Sequence, residues 1–245
     1  MKNRLLSAVV AVSALCASAG VNAANYTWNL TGADAGYLTS INTTNGGHAL
    51  KVTAYSSAGT DGTGAMSNAW LQRYSGGLGV ANCISGASCN ETASPNHSVD
   101  NAGKNDFVLL EFDTVMSAKA FQIGWKQTDA DIQLWTGSSS AAAGLNLATA
   151  NACVSGSGCT TLASLGFTAL PTFNDVAVGA TNNIVAPNNS RYVLVSGALD
   201  PSNVGNDYFK FSAFTAGLPL PLPSTLAMFA LALFGLSRFQ GRRKS

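Results

Sequence analysis

The sequence predicts an all-β fold, an antiparallel β-sandwich of jelly-roll type, and three observations predict it. Short apolar stretches alternate with clusters of Gly, Asn, Ser and Asp through residues 24–217. Many of those stretches keep period two, as in Phe121-Gln-Ile-Gly-Trp125 and Asp131-Ile-Gln-Leu-Trp135, which sends alternate side chains to opposite faces of a strand. Nothing in that interval joins helical periodicity to capping residues, so about eight or more short strands must fill it, the pattern of a sandwich or jelly roll. The composition agrees. Charged residues make up 10% of the chain, against roughly 25% in an average domain, and a Gly/Ala/Ser/Thr/Asn-rich chain of this kind is typical of extracellular β proteins.

In order, the candidate strands are 26–30, 49–55, 69–74, 107–112, 120–125, 132–135, 191–195 and 208–214. Between them, 56–66, 137–143 and 181–189 read as long surface loops, because turn-forming residues cluster there. The chain divides into residues 1–23, a β-sandwich ectodomain over 24–217, and a tail over 218–245. With 245 residues it is long enough to bury one sizeable core after its ends are removed.

The two ends read as addresses. Lys2 and Arg4 form a positive start, residues 5–19 an apolar run, and Val21-Asn22-Ala23 a small-residue cleavage site before Ala24, which together make a secretory signal peptide. That run is shorter than the roughly 20 residues a spanning helix needs. Leu15 directly before Cys16 does not suit lipoprotein cleavage, so Cys16 is read as lost with the signal. At the other end, Leu218-Pro-Leu-Pro-Leu-Pro-Ser-Thr225 is followed by an apolar run, 226–236, and then by Arg238, Arg242, Arg243 and Lys244. The prolines hold the entry extended. The basic residues act as a stop and place that end on the cytoplasmic side of the inner membrane, with an apolar helix short enough to suit a transient anchor.

Taken together, the proline motif, the Ser-Thr-Leu-Ala that follows, the short apolar helix and the Arg-rich end resemble the PEP-CTERM sorting tails of Gram-negative bacteria. The resemblance implies recognition by an exosortase, a membrane cysteine protease-transpeptidase, with Pro221, Leu222, Pro223, Ser224 and Thr225 as the sorting motif. Here Pro-Leu-Pro stands where the usual tail has Pro-Glu-Pro, so the match is to the variant tails that begin Val-Pro-Leu-Pro.

The chain has 13 Lys and Arg against 12 Asp and Glu, but the signs are segregated. Lys2, Arg4 and the four basic residues of the tail sit at the ends, leaving seven basic residues among all twelve acidic ones, a net charge of −5 in the middle. A mildly acidic middle without a basic patch excludes nucleic acid as a partner.

Four cysteines survive processing, in two matched pairs. Cys83-Ile-Ser-Gly-Ala-Ser-Cys89 and Cys153-Val-Ser-Gly-Ser-Gly-Cys159 share one pattern. In an exported chain they read as a disulfide framework. Four cysteines allow three connectivities, and the matched spacing favours the local bridges Cys83–Cys89 and Cys153–Cys159, about 2 kcal/mol each. The Cys-x2-Cys knuckle of a zinc site is absent.

A series of internal motifs runs from His97-Ser-Val-Asp-Asn101 and Asp106 through Gly124-Trp125 and Asp129-Ala-Asp131 to Tyr192-Val-Leu-Val195 and Asp207-Tyr-Phe-Lys210. In this order, over residues 82–217, it resembles a family of exosortase-dependent surface proteins, and the resemblance implies location and architecture but no activity.

Asp100, Asp106, Asp129 and Asp131 precede or open predicted strands and are candidate ligands for Ca2+, which takes six to eight oxygens from loop carboxylates and carbonyls. The plainer reading makes them turn formers that bond nearby backbone N–H groups. No catalytic residues are assigned. His48 and His97 are the only histidines, no nucleophile elbow accompanies them, and Glu91 and Glu111 are the only glutamates. Trp70, Trp125, Trp135, Tyr55 and Tyr74 would stack on sugars if exposed on one sheet face, and would be core if buried. The expected function is therefore non-enzymatic: an exported cell-surface or matrix protein, associated with exopolysaccharide or biofilm. The alternatives are a carbohydrate-binding surface module and, third, an envelope hydrolase.

Overall fold

The period-2 runs become strands that are longer and more connected than the sequence pattern implies. The computed structural model describes residues 24–58, 62–82, 97–138, 143–185, 189–199 and 205–219, and among these it is all-β with no helix. The first half holds β1 (Asn25–Asn29), β2 (Ala35–Leu38), β3 (Ile41–Asn45), β4 (His48–Ala58), β5 (Met66–Tyr74) and β6 (Gly77–Ala81). Then come β7 (Val99–Asp100), β8 (Lys104–Lys126), β9 (Ile132–Ser138), β10 (Ala152–Cys153) and β11 (Thr160–Thr161). The chain ends in β12 (Phe167–Ala169), β13 (Asn182–Asn183), β14 (Asn189–Gly197) and β15 (Tyr208–Gly217). All lie within one structural unit, Asn25–Gly217. The named pairings are antiparallel except that of β10 with β11.

β8, 23 residues long, organises the sheet. Its first half pairs with β4, Leu50↔Phe112 through Ala58↔Lys104. Its second half pairs with β15, Gly217↔Ser117 through Phe209↔Lys126. Since β4 pairs with β5, β5 with β6 and β6 with β15, five strands close into a barrel: β8, β4, β5, β6 and β15. β14, β9 and β12 extend the sheet from the other edge of β8.

The antiparallel all-β class is as the sequence predicts, but the closed ring replaces the jelly-roll sandwich. Two features account for the difference. The candidate strands 107–112 and 120–125 are one continuous strand that turns the sheet around, and the strand that completes the ring, β6, is Gly77-Leu-Gly-Val-Ala81, which is not among the candidate strands. Those glycines are needed for close approach. A Cβ on Gly79 would lie 1.9 Å from the carbonyl oxygen of His97, where the Ser98 carbonyl accepts the Val80 N–H at 3.1 Å. The expected loop 56–66 likewise gives up its first residues to β4. The β3–β4 hairpin turns through Gly46 and Gly47, both at positive φ, as a two-residue hairpin turn requires.

Two cores follow from the alternation. Within the ring, Trp28 packs on Phe112 at 5.3 Å between ring centroids, Phe112 on Phe214 at 5.9 Å and Phe121 on Phe211 at 6.1 Å, all fully buried with Val52, Leu71 and Leu110. The opposite face of β4, β8, β14 and β9 presents Tyr55, Phe107, Leu109, Tyr192, Leu194 and Trp135, covered by Leu147, Ala152, Leu162 and Phe167 from the segment around β10–β12. Each such side chain contributes about 1.5–3 kcal/mol on burial. Cys153–Cys159 closes that covering segment, with Cα atoms 5.9 Å apart. The N-terminal segment 1–23 and the expected sorting helix lie outside the described residues. Among the described residues no helix is long and apolar enough to cross a membrane.

Candidate functional site

The internal motifs are distant in sequence, and β15 gathers them. Its first residues pair with β7, Tyr208↔Asp100 and Phe209↔Val99, and with the end of β8, Phe209↔Lys126 and Lys210↔Trp125. Asp129 then bridges Asp207. His97 to Asn101, Gly124-Trp125, Asp129 to Asp131 and Asp207 to Lys210 thereby meet at one end of the barrel.

The hub is Asn101, fully buried. Its Nδ2 donates to the Ala198 carbonyl at 2.9 Å and to Asp207 Oδ2 at 2.7 Å. Its Oδ1 accepts the N–H groups of Gly205 at 3.0 Å and Asp207 at 3.2 Å. Asp207 Oδ1 in turn accepts the Asp131 N–H at 2.7 Å. Gly197 lets these groups settle on β14: a Cβ there would lie 3.3 Å from the Cβ atoms of both Asn101 and Asp207.

Burial pushes the Asp207 carboxyl up to about 6, and the charges of Asp131 and Asp129 add to this, while its bonds from the Asp131 N–H and the Asn101 amide pull the other way. An aspartate in the unfolded chain titrates near about 3.9. Between these values the folded state holds a proton that the unfolded state has released, so stability contributed by this group is present at low pH and lost as pH rises through about 6. The loss is on the order of 2 kcal/mol. Urea denaturation at a series of pH values from about 4.5 to 7.5 checks it, with Asp207→Asn expected to flatten the profile.

Of the proposed Ca2+ ligands, Asp129 and Asp131 come together, joined by Asp175; the ligand atoms of the three lie within 4.8 Å of one another. Asp100 and Asp106 are not members of that group. Asp100, buried in β7, accepts the Ala102 N–H at 3.0 Å, and Asp106, fully buried in β8, lies opposite Ser56. Within the group, Asp129 Oδ1 accepts the Ala130 N–H at 2.8 Å and Asp131 Oδ1 the Asp175 N–H at 2.7 Å. The first bond is local, and the second ties the 129–131 loop to a segment 44 residues further along the chain. Three carboxylates are also about half the six to eight oxygens that Ca2+ takes. Asp175 carried no strand or motif to mark it in the sequence; its only signal is the turn-forming Asn174-Asp175 pair, and its φ of 54° fits that role.

Beside the acidic end lies an aromatic one. The Lys210 ammonium sits 3.6 Å from the Tyr74 ring centroid and 5.3 Å from that of Trp125, and His97 stands 4.9 Å from Tyr74 and stacks on Trp125 at 6.5 Å. Burial lowers the Lys210 pKa, with the charge of Asp34 opposing. Burial also raises the Tyr74 hydroxyl to about 12, with Asp34 and Tyr37 adding. A cation held between aromatic faces in this way rigidifies the site and occupies the rings that a ligand would need. Of the other aromatics weighed for sugar stacking, Tyr55 and Trp135 are core, while Trp70 is half-buried and pairs with exposed Tyr37 at 6.2 Å, their planes tilted by 55°.

Cys153 and Cys159 are bonded to each other. Cys83, Cys89, the sorting motif Pro221, Leu222, Pro223, Ser224 and Thr225, and the basic stop Arg238, Arg242, Arg243 and Lys244 lie outside the described residues. No family model, no curated protein and no solved structure matches the chain.

Proposed function

We propose that the chain is an exported, non-enzymatic protein of the bacterial cell surface or extracellular matrix, delivered by its signal peptide and sorted through its PEP-CTERM-like tail by an exosortase-like enzyme. In this reading the apolar tail holds it transiently in the inner membrane, and its matrix partner is exopolysaccharide. The Cys153–Cys159 bond is the observation that carries the proposal, because disulfides persist in oxidising compartments and are rare where thiols are kept reduced. The non-enzymatic half is supported by the state of the acidic groups. Asp129, Asp131 and Asp207 are engaged by backbone N–H groups, which suits structural ties between chain segments better than a general acid and base.

Cell fractionation tests the reading. The chain is expected outside the cytoplasm with Cys153 and Cys159 resistant to alkylation. Replacing Arg242, Arg243 and Lys244 by neutral residues is expected to change where it accumulates. A cytoplasmic chain with both thiols reactive would sink the proposal.

A further inference from the structure

The ladder between β14 and its neighbours breaks at one place, and a groove opens there. Against β8 the register jumps from Ser190↔Met116 to Tyr192↔Glu111, and against β9 from Ser190↔Ser138 to Tyr192↔Gly137. Arg191 is the extra residue in the second pairing, and Asp113 lies in the stretch of β8 skipped in the first. Bulges of this sort re-aim side chains out of the sheet. The resulting groove, of about 310 Å³, is lined by Asn42, Ala49, Lys51, Glu111, Asp113 and Arg191, on the face of β4 and β8 opposite the ring core that holds Leu50 and Phe112.

Its two carboxylates and its guanidinium are held in place. Glu111 Oε1 accepts the Gly144 N–H at 2.6 Å and the Tyr192 hydroxyl at 3.1 Å, and its Oε2 lies 4.0 Å from the Lys51 ammonium. Asp113 Oδ2 accepts the Ala49 N–H at 2.9 Å, and its Oδ1 lies 3.7 Å from His48 Nδ1. Arg191 Nη2 donates to the Asp113 carbonyl at 3.1 Å, while its Nε, shielded from solvent, has no hydrogen-bond partner.

Two cations and two carboxylates leave the lining of the groove without net charge. Acceptors held by backbone N–H groups share this lining with the donors Lys51, Asn42 and Arg191, an arrangement that pairs with hydroxyls, each of which donates and accepts. Ligand sites combine an apolar lining with a few placed polar groups in this way, and a volume near 300 Å³ is at the small end of their range. We propose that this groove binds one sugar unit of a neutral glycan, with Glu111 and Asp113 accepting from its hydroxyls and Lys51, Asn42 and Arg191 donating to them. The site is separate from the motif-bearing end of the barrel, and the inference does not depend on how the chain is exported.

The test titrates the full-length chain, in mild detergent, with neutral trisaccharides of glucose, galactose and N-acetylglucosamine and with trigalacturonate, followed by ligand-observed NMR and calorimetry. At least one neutral trisaccharide is expected to saturate with a Kd of about 1 mM or tighter. Arg191→Ala is expected to weaken it about tenfold and Lys51→Ala about fivefold, with Tyr37→Ala without effect. Lys51 is exposed, so its variant keeps the test valid should Arg191→Ala fail to fold. The proposal is overturned if no neutral trisaccharide saturates by about 10 mM. Tighter binding of trigalacturonate, or binding unmoved by Lys51→Ala and Arg191→Ala, would overturn it equally.

Discussion

Replacing Asn101 with leucine is expected to lower stability by about 3–5 kcal/mol, among the largest single-site losses this chain can show. The side chain is fully buried and makes two donations and two acceptances that tie Ala198, Gly205 and Asp207 together. Leucine would leave the N–H groups of Gly205 and Asp207 without that acceptor and the Asp207 carboxylate without that donor, each orphaned group costing about 1–3 kcal/mol. A shifted urea midpoint at unchanged slope would report the loss. Asn101→Asp separates shape from charge: it keeps the acceptor but sets a second carboxylate against Asp207. That variant is expected to be most damaged above about pH 6, where Asp207 is ionised, and partly restored below it. Equal damage at both ends of the pH range would contradict this description of the hub.

The second large effect is expected at Gly79. An added Cβ would meet the His97 carbonyl oxygen at 1.9 Å and its carbon at 2.8 Å. Both are backbone atoms, so no rotamer change relieves the clash, and β6 cannot shift without opening the ring between β5 and β15. Gly79→Ala is expected to cost about 3 kcal/mol or more. Gly36, whose Cβ would meet nothing within 4 Å, supplies the control: Gly36→Ala is expected to stay within about 0.5 kcal/mol. Thermal denaturation of both variants side by side checks the contrast.

The same residues explain how far the sequence could be read. Apolar runs such as Phe121 to Trp125 identified four of the five strands of the ring, because alternation follows directly from one buried face. The candidates 107–112 and 120–125 stand as two strands in the sequence pattern. The residues between them hold the irregularity opposite Arg191, so the continuity of β8, and with it the closure, was hidden. β6 was hidden by composition, since glycines required for approach to Phe211 and His97 carry the same letters as glycines required for a turn. At the candidate site, Asp129 and Asp131 were legible as a loop pair. Asp175 was not, because it arrives from 44 residues away through one backbone bond to Asp131. Asp100 and Asp106 stood in the same motif but are carried by β7 and β8 to buried positions of their own. The groove at Arg191 left no local signal at all, because a bulge depends on register between strands. Cys153 and Cys159 were legible because a bridge between nearby cysteines needs no tertiary information.

The central claim, an exported chain sorted through its tail, is met most directly by intact mass spectrometry of the protein recovered from the envelope and the medium. The predicted mass begins at Ala24 and lacks residues 226–245, and neutralising Arg242, Arg243 and Lys244 causes the unprocessed form to accumulate. A wild-type species that still carries residues 226–245 at steady state would contradict it.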